Sequence, residues 1–555
     1  MPESESSMGQ RKRKKQVAPK GQCTGEIDRA TIKQSWYKRR EVVTGFCLGV
    51  FIFVLYLATM LPGVDAGDSA ELQFMSPIWG VCHPPGYAIE VCFGKLFSLL
   101  PIGPSIAWRL NFMMVVSGTI GVLALYGIIR RVTGSLLAAV TGALTLGLSS
   151  MYWFYSLVAE AYVFYSMFIP VGMYCLVRFI QANRAFWLYL AVLSFGICIA
   201  DRISEILIMP GFLILWFSVR KKVNLSIVRI LIALIILILP FIFTVSYHLI
   251  RSRPEKKLDM LWSRDSTLRY QILGDNFKQA SAQPLRKRIR GAVRLSIGLN
   301  YKKDAKFRSE IVKWDINKYS WMLSGLGAKG QRYPEGDKRN AEQGLGTSIG
   351  ILGIILAVCG VFFQPKNWGW WVLGFWMFGA NLLFILWHHR WDNLTFTIPS
   401  LIGLSLLVGL GASGGSWKPN KKLIYQLLCL IVPTFLLLTN YSQLNRNTDE
   451  EKQKQKYYQK LSTAPFAKNS AIISTYWPAM QYRYLIHIEG GREDMRILYE
   501  SPQNWQKLIQ YFLSNDQQVY LYRGSLQPTT EQQFKRITEP DVWSVGFVKL
   551  PPPEQ

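Results

Sequence analysis

The run VVTGFCLGVFIFVLYLATMLP, residues 42–62, is followed at once by Asp68-Ser69-Ala70-Glu71 and then by His83-Pro84-Pro85-Gly86-Tyr87. The run is long and apolar enough to cross a bilayer, which needs about 20 such residues. Two carboxylates and a histidine at the mouth of a membrane segment are costly to place beside lipid. Such a cluster is read first as a functional site.

Ten more apolar runs follow, near 105–130, 135–151, 157–179, 186–200, 203–219, 226–249, 346–363, 369–388, 395–412 and 422–439, which makes about eleven candidate spans. Several are short, so tilted, broken or paired helices are expected. Half of the 555 residues are hydrophobic and they are bunched into these runs, which excludes both disorder and a simple soluble core. The expected fold is an α-helical multi-pass membrane bundle over 42–439, after a basic tail at 1–41.

The net charge of +28 could point to nucleic acid. In a multi-span chain Lys and Arg have another use, the marking of cytoplasmic loops, so no nucleic-acid partner is expected. With the N-terminus inside, the short inner loops carry Arg130-Arg131, Arg178 with Arg184, Arg220-Lys221-Lys222, Lys366, and Lys418 with Lys421-Lys422. The same alternation places Asp68, Glu71, His83, Arg109, Glu160, Asp201, Arg202, Arg251 and His388 on the outer side, although no acid was used to choose it. Residues 63–104 then form an outer loop in which Pro85–Leu100 reads as an interfacial helix. Residues 251–345 form a long outer loop with 22 Lys/Arg against 10 Asp/Glu. From 440 to 555, β-like runs (Ala471–Ser474, Met495–Leu498, Gln518–Tyr522, Trp543–Leu550) alternate with helix-like ones (Pro478–Ile488, Gln503–Phe512), predicting a small soluble α/β domain. The eight cysteines show no CxxC pair, so neither zinc nor a disulfide framework is expected.

Asp68 and Glu71 share a helical face, and two close carboxylates in a dry site push each other's pKa apart, which suits one for proton abstraction. A helix-start role for Asp68 stands beside that reading. The His-Pro-Pro-Gly turn holds His83 in place. Arg109 and Asn111 open a span at its outer end, where an arginine can hold a phosphate or snorkel to the interface. Trp153 and Tyr155 read as an interfacial aromatic belt. Glu160, within an apolar run, needs a partner. Asp201, Arg202 and Glu205 can satisfy one another, and Arg251 begins the basic loop.

The ordered set Ala66-Gly67-Asp68-Ser69-Ala70-Glu71-Leu72, Gly80-Val81-Cys82-His83-Pro84-Pro85-Gly86-Tyr87, Trp108-Arg109-Leu110-Asn111 and Ser156-Leu157-Val158-Ala159-Glu160-Ala161 resembles a multi-pass membrane family, formerly a domain of unknown function. Its animal member is an O-mannosyltransferase acting on IPT domains of plexins and related receptors. The family resembles GT-C glycosyltransferases, which take a sugar from a polyprenyl-phosphate carrier on the outer or lumenal face. The resemblance is strongest over 43–180. It implies a GT-C-like bundle, a polyprenyl-phosphate monosaccharide donor, with mannose as the candidate sugar, and a protein or glycan hydroxyl acceptor. It also implies Asp68 as general base, with Glu71 and Glu160 in support. Donor contacts are expected from His83, Pro85, Gly86, Tyr87, Arg109, Asn111, Trp153, Arg202 and Arg251. No cofactor and no metal are expected, and no P-loop or Gly-rich nucleotide fingerprint is present. Two departures stand out: Ala70 replaces the family's usual glycine in Asp-Ser-Gly-Glu, and Asp201-Arg202-Ile203-Ser204 stands where many members carry Asn-His and then Thr. The membrane expected is a bacterial plasma membrane, or the endoplasmic reticulum in a eukaryote. The rival reading is a transporter or lipid-linked-sugar flippase, in which the charged residues line a path.

Overall fold

The computed structural model describes residues 24–223, 225–251, 284–297, 347–363, 367–388, 397–415, 417–500, 504–522 and 547–550. Apart from Arg251 and one helix at 285–296, the basic loop 251–345 lies outside the described residues, as do His389, Arg390 and most of the tail 1–41.

The chain is mostly helical. In order come α1 (Thr24–Thr59), α2 (Asp68–Ile78), α3 (Ala88–Ser98), α4 (Ile106–Thr133), α5 (Leu136–Leu148), α6 (Ser150–Tyr155), α7 (Ala161–Ala182), α8 (Ala185–Asp201), α9 (Met209–Val219) and α10 (Ile227–Arg251). There follow α11 (Leu285–Ser296), α12 (Gly350–Phe363), α13 (Trp368–His388), α14 (Ile398–Gly411), α15 (Pro419–Cys429), α16 (Ile431–Leu444) and α17 (Asp449–Ser462). Among the described residues six helices are long and apolar enough to cross a membrane: Arg39–Thr59, Ile106–Thr133, Ala161–Ala182, Ile227–Arg251, Trp368–Leu386 and the long Pro419–Ser462 segment. Five shorter apolar helices of 10–17 residues occupy the other predicted positions. At 1.5 Å per residue, a helix such as Leu136–Leu148 is shorter than the hydrocarbon core. The protein is thus an integral membrane protein.

Local chemistry sets the helix ends. Ser105 caps α4 by accepting from Trp108 N (3.1 Å), and Gly134 ends it in the left-handed conformation (φ 68°) behind Arg130 and Arg131. Ser135 then caps α5.

The predicted strands appear as β1 (Ala471–Ser474), β2 (Arg496–Tyr499), β3 (Val519–Tyr522) and β4 (Phe547–Lys549). They form one sheet in the order β2-β1-β3-β4, with β1 parallel to β2 and β3 and with β4 antiparallel to β3. Helices α18 (Tyr476–Arg483) and α19 (Trp505–Ser514) connect the strands, and a π-helical segment, Tyr484–Glu489, continues α18. This C-terminal part packs directly on α2. Phe74, Met75 and Ile78 share one apolar cluster with Met480, Leu485 and Ile497.

Asn111, wholly buried in α4, ties the site region together. Its Nδ2 donates to Leu61 O (2.9 Å) and Gly63 O (2.8 Å), and its Oδ1 accepts from Gln73 Nε2 (3.0 Å) and Ala159 N (2.9 Å). One side chain thereby fixes the end of α1, helix α2 and the residue preceding Glu160. Orphaning a buried polar group costs roughly 1–3 kcal/mol. Asn111→Ala should therefore lower stability by about 2–4 kcal/mol, because several groups lose their partner together. A melting curve of the detergent-solubilised variant that overlays wild type would remove this role.

Candidate active site

Helix α2 begins at Asp68 behind Gly67, whose φ of 66° only glycine adopts freely. A Cβ there would strike the Trp477 ring. Asp68 is in the first turn, and Glu71 lies on the same face but is buried, with 1% of its side chain exposed. The Glu71 carboxylate clamps the following turn: Oε1 accepts from His83 N (3.0 Å) and Oε2 meets His83 Nδ1 at 2.5 Å. On its other side His83 Nε2 faces Asp68 Oδ2 at 3.8 Å. The result is a ladder, Glu71–His83–Asp68, that runs outward from the interior. Side-chain exposure rises along it from 1% through 25% to 35%.

The turn after His83 is tight. The Pro84–Pro85 peptide is cis, Gly86 has φ 93°, and Tyr87 itself adopts φ 46° at the start of α3. A Cβ on Gly86 would strike His248. Tyr87 therefore swings back to meet the His83 ring edge-on at 5.4 Å. Asp68, Glu71, Cys82, His83, Tyr87, Glu90, Glu160 and Tyr162 line one small pocket with about 10 Å³ of free space, room for about one water. A larger ligand would sit at its mouth, over Asp68 and His83.

Five predicted site residues thus meet: Asp68, Glu71, His83, Tyr87 and Glu160. Pro85 and Gly86 shape the turn. Burial opposes charge on His83, but the Glu71 and Asp68 carboxylates and the Glu71 hydrogen bond outweigh it and raise its pKa to about 9. Glu160, ahead of α7, is pushed well above the usual carboxylate range by burial and by Asp68 and Asp65. Glu160 thus holds its proton more tightly than an ordinary carboxyl, beside the more exposed Asp68.

The other expected contacts lie elsewhere. Arg109 donates to Ile102 O (2.7 Å) and Ser98 O (2.6 Å), pinning the loop after α3. Arg251 donates to Trp79 O (2.5 Å) and Ile78 O (2.7 Å), at the end of α2 away from Asp68. Ten residue steps separate Ile78 from Asp68, about 15 Å along the axis. The belt expectation for Trp153 is corrected: it has no exposed surface, and its Nε1 donates to Thr59 Oγ1 (3.1 Å) in the core. Arg202 lies behind the pocket wall, donating to the Tyr165 hydroxyl (2.6 Å) and stacked 5.1 Å over both Tyr162 and Tyr165.

Two pocket-side residues escaped the sequence reading. Glu90 is fully buried in α3, and among the described residues neither carboxyl oxygen has a hydrogen-bond partner. Burial, then Asp201, drives its pKa well up. A carboxyl in an apolar run was the signal available. Tyr476 comes from the C-terminal part and donates to Asp68 Oδ1 (3.2 Å). Asp68, Glu71 and His83 each offer one ligand atom within 4.8 Å of the others, and this trio could hold a metal ion.

A helical integral membrane protein with an acid–histidine pocket at one end of its bundle is the class these observations define. Over residues 68–226 the chain matches the family model described as the protein O-mannosyl-transferase TMEM260 N-terminal domain. Two curated relatives agree with the motif-based resemblance. "Protein O-mannosyl-transferase tmem260" of Dictyostelium discoideum is 27% identical over 248 residues, 42% of this chain and 30% of that protein. The Mus musculus protein of the same name is 29% identical over 241 residues, 41% and 33% of the two chains. The alignments span about a third of the length of these relatives. Among solved structures, ArnT from Cupriavidus metallidurans bound to undecaprenyl phosphate aligns at TM-score 0.40 and 10% identity, over 92% of this chain and 97% of that one. Its apo form aligns at TM-score 0.39 and 10% identity, over 93% and 98%.

The ladder has a pH signature. The folded His83 holds its proton more tightly than the unfolded chain does, so its stabilisation is complete below pH 6.5 and is lost as pH rises through about 9. The melting temperatures of wild type and His83→Gln should therefore differ most near pH ~6 and converge above pH ~9. A difference independent of pH would mean that His83 is not the titrating group.

Proposed function

We propose that the protein is a glycosyltransferase that moves a monosaccharide, such as mannose, from a polyprenyl-phosphate carrier to a hydroxyl, such as that of a protein Ser or Thr. The observation that carries this reading is the Glu71–His83–Asp68 ladder, set at the end of a membrane bundle within the stretch that matches the O-mannosyl-transferase domain. A donor with a lipid tail can lie along the spans and present its head at such a mouth.

In this mechanism the acceptor oxygen attacks the anomeric carbon as the bond to the carrier phosphate breaks. The hydroxyl proton passes to Asp68 and the lipid phosphate leaves with the bonding electrons. Asp68 suits the task because it is the most exposed acid of the ladder; Tyr476 donates to its Oδ1, and the His83 ring faces its Oδ2 at 3.8 Å. Glu71 acts through His83 and is a positioning residue. Glu160, its pKa driven up, offers an O–H donor to a sugar hydroxyl at the mouth, while Glu90, fully buried, lines the pocket behind it. In the same reading the acid end faces the periplasm or lumen, the shorter apolar helices cross with the long ones, and residues 440–555 lie outside with the site.

The chemical step is tested by Asp68→Asn, which keeps shape and removes the base. Positioned acid–base catalysis is typically worth ~10²–10⁴-fold, so turnover should fall by about that factor with insertion unchanged. Near-normal transfer by Asp68→Asn, with loss in Glu160→Gln, would reassign the base. Retention by both would sink the transferase reading, and a parallel assay with a chelator decides whether the trio needs a cation.

Topology is tested by labelling. Ser470 is buried, whereas Lys468 nearby is exposed. Lys468→Cys in an otherwise Cys-free chain should react with a membrane-impermeant thiol reagent applied to the outer side of intact cells. Reaction only after permeabilisation would overturn the orientation.

A further inference from the structure

At the end of α4 and α7 remote from Asn111 and Glu160 lies a second, larger cavity of about 310 Å³. The last turns of α4, α7 and α9 and the first turn of α13 enclose it. Arg131, Gln181 and Asn367 supply polar groups, and Trp368, Trp370 and Val177 supply apolar wall. The volume is at the lower edge of ligand-sized pockets.

Its charge is unbalanced. Arg131 donates through Nη1 to Gln181 Oε1 (3.3 Å) and lies 5.5 Å from the Tyr174 ring centre. Its Nε is shielded from solvent and has no partner among the described residues. No Asp or Glu occurs anywhere in 91–159, 161–200, 206–254 or 343–391, the four stretches that build the cavity walls. The same end collects Arg130, Arg178, Arg184 and Arg220. A C-terminal arginine complements its own helix dipole, and that accounts for one charge. It does not account for a polar cavity beside the guanidinium with no carboxylate in any lining helix. An arginine stays charged at every working pH, and its fork suits phosphate oxygens. The first turn of α13, a 21-residue helix, adds the positive end of its dipole.

We propose that this cavity binds the phosphodiester headgroup of an anionic phospholipid, with Arg131 as the principal contact. The position favours a lipid over a soluble anion. The cavity opens at the end of spanning helices, where Trp368 is 48% exposed, the placement of an interfacial tryptophan. Basic pockets between spans are the usual seat of anionic lipid heads. The assignment is independent of the acid pocket and of the transferase reading.

The test uses the full-length protein in detergent micelles and native mass spectrometry with phosphatidylglycerol, with phosphatidylcholine of the same chains, and with inorganic phosphate as competitor. Wild type should retain one phosphatidylglycerol at least about tenfold better than phosphatidylcholine, and inorganic phosphate should not displace it. Arg131→Gln should lose most of that preference. Gln181→Glu keeps the arginine and the cavity but supplies the missing carboxylate, so it should lose the preference as well while melting like wild type. Equal retention of the two lipids by wild type, or undiminished preference in folded Gln181→Glu, overturns the proposal. Displacement by inorganic phosphate overturns the lipid assignment and makes the cavity a free-anion site.

Discussion

The contact between Glu71 and His83 is the constraint on which the site depends. A carboxylate buried to 1% exposure would be strongly unfavourable alone, and it is kept only by accepting from both the backbone and the ring of His83. That double bond fixes where the chain leaves α2 and how it turns into α3. Asp68 stands one turn before Glu71 and so faces the outer nitrogen of the same ring. Tyr87 and Glu90 stand just past the turn and so face the pocket from the other side. Moving either partner would displace all of them together.

Helix α2 is only 11 residues long and could not hold that geometry by itself. It is gripped from two directions. From the membrane side Asn111 and Gln73 bind each other, and Arg251 binds the last carbonyls of the helix. From the C-terminal side Gln481 donates to Asp65 O (3.1 Å), Gln455 exchanges hydrogen bonds with Val64, and Tyr476 reaches Asp68. The residues after 440 therefore act as one wall of the site, whatever else they do.

How much of this was legible follows from what each residue binds. The apolar runs fixed the helices because burial in lipid imposes a length, and three of the acids singled out, Asp68, Glu71 and Glu160, line one pocket. Asp68, Glu71, His83, Tyr87 and Glu160 meet because they belong to two short segments flanking the same helix ends. Arg109, Arg251 and Trp153 lie outside the acid pocket for one physical reason. Their partners are backbone carbonyls or a single threonine, and no pattern of side chains reveals a carbonyl that a bend has left open. Tyr476 lies 408 residues from the carboxylate it binds, a pairing that periodicity cannot carry. Glu90 was within reach, since the argument that singled out Glu160 applies to it equally.

The two ends of the bundle manage charge by opposite means. At the outer-reading end carboxylates are in excess, and the protein meets them internally. His83 sits between two acids that raise its pKa, Glu90 and Glu160 hold their protons more tightly than ordinary carboxyls, and Arg446 bridges Asp65 (3.2 Å) and Glu451 (3.9 Å). At the other end arginines are in excess, and arginine cannot shed its proton. The helices that line the Arg131 cavity, α4, α7, α9 and α13, contain no acid to pair with, and exposed charges act over only ~8–10 Å in physiological salt. Protons can balance the first end, but Arg131 at the second needs an anion that its own cavity walls do not supply.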